Sequence, residues 1–384
     1  MQAILSRTKG DRYIWLIVIA LTIISMLAVY SSTGSLAFKY QEGNTEYYLI
    51  KHFGIFAFGL FLMFVAHLVN YKLYSRIALL AWLITIPLLI YTLFFGVEIN
   101  DAKRWLTIPF INMSFQTSDF AKLALIMYMA RVLSKKQETI KDFKKGFLPA
   151  MLPPVITCAL IAPSNLSTAA ILFATCTLLM FIGRMNMKYI LMMMGGGLVM
   201  LALIILIALN TPFKARVYTW QSRIENFSKD PKGSYQVQQA KIAIAQGGFL
   251  GKGPGNSTQR NFLPSPYSDY IFAIVIEEYG MFGAFVILFI YILFLLRCIK
   301  LFVKCPGAFG AFLAVGLSFA LVIQAMINMA VVTNLLPVTG VTLPLVSMGG
   351  TSLWFTSIAI GIILSVSKFV EQEENGVKAE VESE

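Results

Sequence analysis

The stretch YIWLIVIALTIISMLAVYS, Tyr13–Ser31, carries no charged residue. As an α-helix rising 1.5 Å per residue, it reaches nearly across the roughly 30 Å hydrocarbon core of a bilayer. It is longer than the apolar core of a secretory signal, and no small-residue cleavage pattern follows it. It is therefore expected to stay in the protein as a helix. Comparable runs recur at Leu49–Asn70, Ile77–Val97, Asp119–Leu133, Phe147–Ala162, Thr168–Ile182, Tyr189–Leu209, Tyr270–Leu296, Gly307–Val332 and Gly349–Val370. With the first, these make about ten candidate spans.

Composition agrees. Of the 384 residues 58% are hydrophobic and 13% charged. A soluble domain has about half and about a quarter. Disorder, a collagen-like chain and a secreted disulfide scaffold are excluded. The fold class is an all-α polytopic membrane protein with one large extracytoplasmic loop. Residues 1–370 are expected to form a single transmembrane domain, and the acidic tail 371–384 a disordered end.

The formal net charge of +12 is not spread evenly. Arg7, Lys9, Arg12, Lys72, Arg76, Arg131, Lys135, Lys136, Lys141, Lys144, Lys145, Arg184, Lys188, Arg297, Lys300, Lys304, Lys368 and Lys378 fall on one side, in one set of loops and the two ends. Only Lys39, Lys51, Lys103 and Arg104 mark the short loops opposite. The positive-inside rule then places both termini in the cytoplasm. One outer loop, Thr211–Ser268, is basic as well, with Lys214, Arg216, Arg223, Lys229, Lys232, Lys241, Lys252 and Arg260. Composition alone favours contact with anionic headgroups; the sharper alternative is an anionic substrate.

Cys158, Cys176, Cys298 and Cys305 form no C-x-x-C pair, and His52 and His67 share no pattern with them. Neither a zinc site nor a Ser-His-Asp triad is expected. Ionisable residues near spans are the informative ones, because charge at membrane depth is costly. Asp269 opens a span and is either a helix N-cap or a boundary carboxylate acting as a base. Glu277 and Glu278 belong to a helix–helix ion pair or an aqueous cavity wall, or are proton-relay groups. Lys122 is expected to pair with Asp119 or to face a polar cleft. The segment Gly247–Arg260 is rich in glycine, which suits either turns or an anion-binding nest.

Polar clusters recur in a fixed order: Arg104-Trp105, Gln116 to Lys122, Asn165 to Ala169, Tyr235-Gln236 to Gly248, Gly253 to Arg260, Leu263 to Gly280, and Asn328 to Gly350. In this order they resemble the SEDS family of shape, elongation, division and sporulation proteins, to which FtsW and RodA belong. The resemblance covers nearly the whole chain, and Gly255–Arg260 is closer to the FtsW pattern. Departures are Asp119 for a usual Glu, Asn165 for a usual Asp, and Ser265 and Tyr267 for a Glu and a His.

The resemblance implies a ten-helix peptidoglycan glycosyltransferase. Such an enzyme polymerises lipid II, a disaccharide-pentapeptide on undecaprenyl pyrophosphate, into β-1,4 glycan at the division septum of the bacterial inner membrane. It implies a class B penicillin-binding protein and other divisome membrane proteins as partners, with membrane lipid around it and no nucleic acid. The family's essential aspartate falls on Asp269, the expected general base. Lys122, Arg104, Asp119, Arg216, Arg223, Gly253, Gly255, Ser257, Gln259, Arg260, Glu277 and Ser347 are the expected substrate contacts. No organic cofactor is expected; a divalent cation, Mg or Mn, suits the pyrophosphate. A lipid-linked precursor flippase and a non-catalytic division scaffold are the alternatives.

Overall fold

The computed structural model describes residues 9–99, 102–108, 113–210, 214–228 and 234–381. It is a bundle of long helices. Helix α1 (Arg12–Ser32) is capped by Asp11, whose carboxylate accepts from Tyr13 N at 2.9 Å and pairs with Arg297. Next come a short α2 (Gly34–Tyr40), α3 (Thr45–Leu68) and α4 (Tyr71–Phe95). Asn44 and Asn70 cap α3 and α4, as short polar side chains do for exposed first-turn N–H groups.

Strands β1 (Val97–Ile99), β2 (Ala102–Ile108) and β3 (Met113–Gln116) then form an antiparallel sheet in sequence order. Trp105 stands opposite Gln116. The sequence places Lys103 and Arg104 on a short outer loop, whereas the structure forms strands there. These strands are short, and the charges of A-K-R-W-L-T-I hide the alternation. The sheet carries Arg104 and Trp105 and delivers the chain straight into α5 (Thr117–Lys135). Helices α6 (Leu148–Ile161), α7 (Leu166–Ile182) and α8 (Met187–Leu209) follow. The large loop is itself partly helical, with α9 (Lys214–Ser228) and α10 (Tyr235–Gly247). Helices α11 (Ile271–Lys304), α12 (Ala308–Val332) and α13 (Thr351–Val381) complete the chain.

Among the described residues, eight helices are long and apolar enough to cross a membrane. The protein is thus a multi-pass membrane protein. Two expected spans fall outside that count: α7 has 17 residues, and α5 carries Asp119, Lys122, Arg131 and Lys135. Helix α5 is nevertheless enclosed, packed against α4 and α12. Asp119 is buried and paired with Lys122, and Arg131 bonds the Ser75 carbonyl. These charges thus face protein, where membrane-depth charge is tolerated, while Lys135 is exposed at the helix end. Helices α12 and α13 are the most buried of the apolar helices and α8 the least.

Helix α11 is broken at Gly280, which adopts φ +66°. An unbroken helix would bond Met281 N–H to Glu277 and Phe282 N–H to Glu278. Here Met281 and Phe282 donate to the carbonyls of Gly248 and Phe249, at 3.0 and 3.3 Å. Lys252 and Gly253 donate to the freed carbonyls of Glu277 and Glu278, both at 2.9 Å. The glycine-rich loop is therefore wedged into the helix, backbone against backbone. A Cβ on Gly251 would lie 2.2 Å from the Glu278 carbonyl oxygen. The glycines at 247, 251 and 280 are required by this close approach.

Candidate active site

Asp269 stands where the large loop enters α11, next to its N-cap Tyr270. Three contacts fix the backbone there. Asn328 Nδ2 donates to Asp269 O at 2.9 Å, Ser347 Oγ donates to Ser268 O at 2.7 Å, and Met348 N donates to Tyr267 O at 2.9 Å. Ser347 Oγ also accepts from Leu343 N at 2.8 Å. Thus the non-helical segment between α12 and α13 packs under residues 267–269 and holds them. Irregular backbone is tolerated in a membrane protein where other protein covers it in this way.

Asp269 lines a cavity of about 360 Å³ together with Arg104, Asp119, Lys122, Asn165 and Gln324. Lys122 Nζ bonds Asp119 Oδ1 at 2.7 Å and Gln324 Oε1 at 3.2 Å. Gln324 in turn donates to Thr342 O at 3.0 Å, which ties α5 to the segment beneath Asp269. Arg104 Nε donates to Ser164 O at 2.7 Å, and Asn165 caps α7 through Thr168 N at 3.2 Å. The cavity gathers side chains from β2, α5, α7, α12 and the entry to α11, each fixed by a bond of its own.

Burial pushes the Asp269 carboxyl above its ordinary range. The Ser268 hydroxyl and the charges of Arg104 and Arg223 oppose that shift without cancelling it. A carboxylate in this state accepts a proton more readily than an exposed one.

Other expected contacts lie elsewhere. Ser347 holds the Ser268 and Leu343 backbone rather than lining the cavity. Arg223 lines a neighbouring cavity, and only its charge reaches Asp269. The side chain of Arg216 lies outside the described residues, as does Asp101. Gly253, Gly255, Ser257, Gln259, Arg260 and Glu277 form a separate cluster. There the buried Glu277 accepts from Lys252 Nζ at 2.7 Å and from the N–H groups of Thr258 and Gln259 at 3.0 and 3.2 Å. Glu278 accepts from Ser31 Oγ, and Arg260 bonds the Ser31 and Gly255 carbonyls, both at 3.1 Å. Glu277 and Glu278 thus clamp the wedged loop to α11 and α1.

Sequence reasoning passed over Gln324 and did not separate Asn328 from its motif. They are four apart on α12 and share a face, and they are the two amides in a helix whose other polar side chain is Ser318. That spacing was the available signal.

The family model described as cell cycle protein, FtsW/RodA/SpoVE, matches residues 11–372. The chain belongs to this family. Stage V sporulation protein E of Bacillus subtilis is 34% identical over 371 residues, covering 94% of this chain and 98% of that protein. A probable peptidoglycan glycosyltransferase FtsW of Geobacter metallireducens is 35% identical over 369 residues, 94% of this chain and 95% of its own. Among solved structures, a chain described under "Structural coordination of polymerization and crosslinking by a peptidoglycan synthase complex" superposes with a TM-score of 0.72 at 23% identity. It covers 94% of this chain and 99% of that one. The rod shape determining protein RodA of Thermus thermophilus superposes with a TM-score of 0.67 at 20% identity, covering 94% and 97%. Both share the fold. The FtsW/RodA/SpoVE match takes in every residue of the cavity, from Arg104 to Ser352.

Proposed function

We propose that this FtsW/RodA/SpoVE-family chain is a peptidoglycan glycosyltransferase that polymerises lipid II, with Asp269 as general base. The observation that carries this reading is the single cavity in which Asp269 meets Lys122 and Arg104. The donor sugar leaves on a pyrophosphate, which needs positive charge more than a proton. Lys122 and Arg104 supply that charge, and Asp119 with Gln324 holds the Lys122 ammonium in place. The acceptor 4-hydroxyl is a weak nucleophile. Asp269 takes its proton as the oxygen attacks the anomeric carbon and the bond to pyrophosphate breaks. An α-linked donor giving a β-linked product is one inverting displacement, so a single catalytic carboxylate is enough.

A hard divalent cation fits this cavity in part. Asp119 Oδ2 is buried without a hydrogen-bond partner among the described residues, and Asp269 lines the same space. Mg²⁺ takes one or two carboxylates together with substrate phosphates. No group of three His, Cys, Asp or Glu among the described residues forms a cage by itself. A cation held by Asp119 or Asp269 would add positive charge at the departing pyrophosphate.

The relatives named FtsW favour a septal role in the inner membrane, and the peptidoglycan synthase complex favours a class B penicillin-binding protein as partner. We read residues 1–370 as one domain of ten membrane helices, counting α5 and α7, with both termini cytoplasmic. Purified protein in detergent, given lipid II, tests the activity. Glycan polymer is expected. Intact lipid II, with transport appearing only in sealed vesicles, would instead indicate a flippase.

A further inference from the structure

A second cavity, of about 400 Å³, lies beside the first. Its size falls in the range of roughly 300–1,000 Å³ usual for ligand pockets. The two are lined by neighbouring stretches of chain: Pro264 and Val338 line the second, while Ser265 and Gly340 line the first. Tyr270, next to Asp269, donates its hydroxyl to Gln236 in the second cavity at 3.4 Å.

The lining has a particular chemistry. Two aromatic rings stand open, Phe227 at 42% exposure and Tyr235 at 53%. Beside them are amides, among them Asn226 and Asn334, each carrying both a donor and an acceptor. Ser234 Oγ is buried without a partner among the described residues. Among the described residues the wall holds one cation, Arg223. An acyl chain would want apolar walls throughout, and a pyrophosphate would want several cations. Rings that stack on apolar faces, interleaved with amides that bond hydroxyls, suit a sugar.

We infer that this cavity binds a segment of the β-1,4 glycan strand, beyond the sugars that react at Asp269. The inference rests on the glycosyltransferase reading. It gives α9 and α10 a task that the reaction itself leaves open: retaining the strand between additions, so that one enzyme extends it repeatedly.

The test uses the full-length chain in detergent and a lipid-free tetrasaccharide prepared from peptidoglycan, with binding followed by titration calorimetry. Wild type and Asp269→Asn are expected to bind it alike. Phe227→Ala combined with Asn226→Ala is expected to bind about tenfold more weakly, as when a ring contact and a hydrogen bond are lost together. Tyr235→Ala, on a different helix, should weaken binding in the same direction. An unchanged unfolding temperature checks that these exposed positions leave the fold intact. Given lipid II, the double variant should make shorter strands than wild type. Equal tetrasaccharide binding by wild type and variants, or none by wild type, overturns the inference. Failure of the glycosyltransferase reading shows separately, as wild type leaving lipid II unconsumed, and the tetrasaccharide titration still decides what the cavity binds.

Discussion

Asn328 Nδ2 donates to the backbone oxygen of Asp269 at 2.9 Å and to that of Val341 at 2.7 Å. One amide thus spans from α12 to both the proposed base and the segment packed beneath it. Asn328→Ala removes both bonds and frees the entry to α11. Turnover should fall about tenfold to a hundredfold, as expected when a reacting group shifts by about an ångström. The change should appear in kcat, with the KM for lipid II little altered. A variant whose only defect is a lower unfolding temperature would show that Asn328 is merely structural.

The Asp269 carboxyl lies above its ordinary range because it is buried. Only the ionised form accepts the acceptor's proton, so the rate should fall as pH drops through this raised pKa. The acid limb is thus expected at a higher pH than an exposed aspartate would give. Arg104 and Arg223 oppose the shift. Arg223→Ala should therefore move the limb further up in pH, which a pH–rate profile of polymer formation would record.

Linkage gives the same group an effect on stability. A carboxyl whose folded pKa exceeds its unfolded one binds protons more tightly when folded. Its ionisation therefore disfavours the folded state. The penalty is absent below the ordinary pKa, grows up to the raised one and is complete above it. Asp269→Asn removes it, so at neutral pH this variant should unfold at the same temperature as wild type or a higher one.

Glu277 is fully buried and accepts from Lys252, Ser257, Thr258 and Gln259. Glu277→Ala removes the acceptor of the Ser257 hydroxyl and of the Thr258 and Gln259 N–H groups, while the part-exposed Lys252 keeps Gln246 and Thr258. The change should destabilise the protein by about 1–3 kcal/mol, the cost of buried donors left unmet. Glu277→Gln keeps an acceptor and should lose less. Thermal unfolding in detergent ranks the two, and the reverse order would contradict the clamp.

Gly251 and Gly255 both have positive φ, at +79° and +77°. A Cβ on Gly251 meets the Glu278 backbone, whereas one on Gly255 meets nothing within 4 Å. Gly255→Ala should cost about 1–2 kcal/mol, the penalty of left-handed backbone alone. Gly251→Ala should cost clearly more or prevent folding. Equal unfolding temperatures for the two would show that the wedge tolerates displacement.

Most of the helices were legible in the sequence, because unbroken apolar runs leave a bilayer-spanning chain few alternatives. The site was legible in part. Asp269, Lys122, Asp119 and Arg104 do meet in one cavity. The glycine-rich loop misled: close backbone approach to a ligand and close approach to another helix demand the same residues. That Glu277 and Glu278 face this loop, rather than the cavity, depends on the break at Gly280. A glycine inside an otherwise helical run, with Gly283 one turn on, gives no sign of which position breaks. The small sheet at Arg104 escaped for a similar reason, since a strand of seven residues bearing adjacent charges resembles a loop.

The central claim is that Asp269 takes the proton of the acceptor hydroxyl. Purified Asp269→Asn, given lipid II beside wild type, tests it most directly. The expected result is a loss of polymer formation of about 10²–10⁴-fold, the usual worth of a positioned base, with unfolding temperature and lipid II binding retained. Polymer made at close to the wild-type rate by a correctly folded Asp269→Asn protein would contradict it.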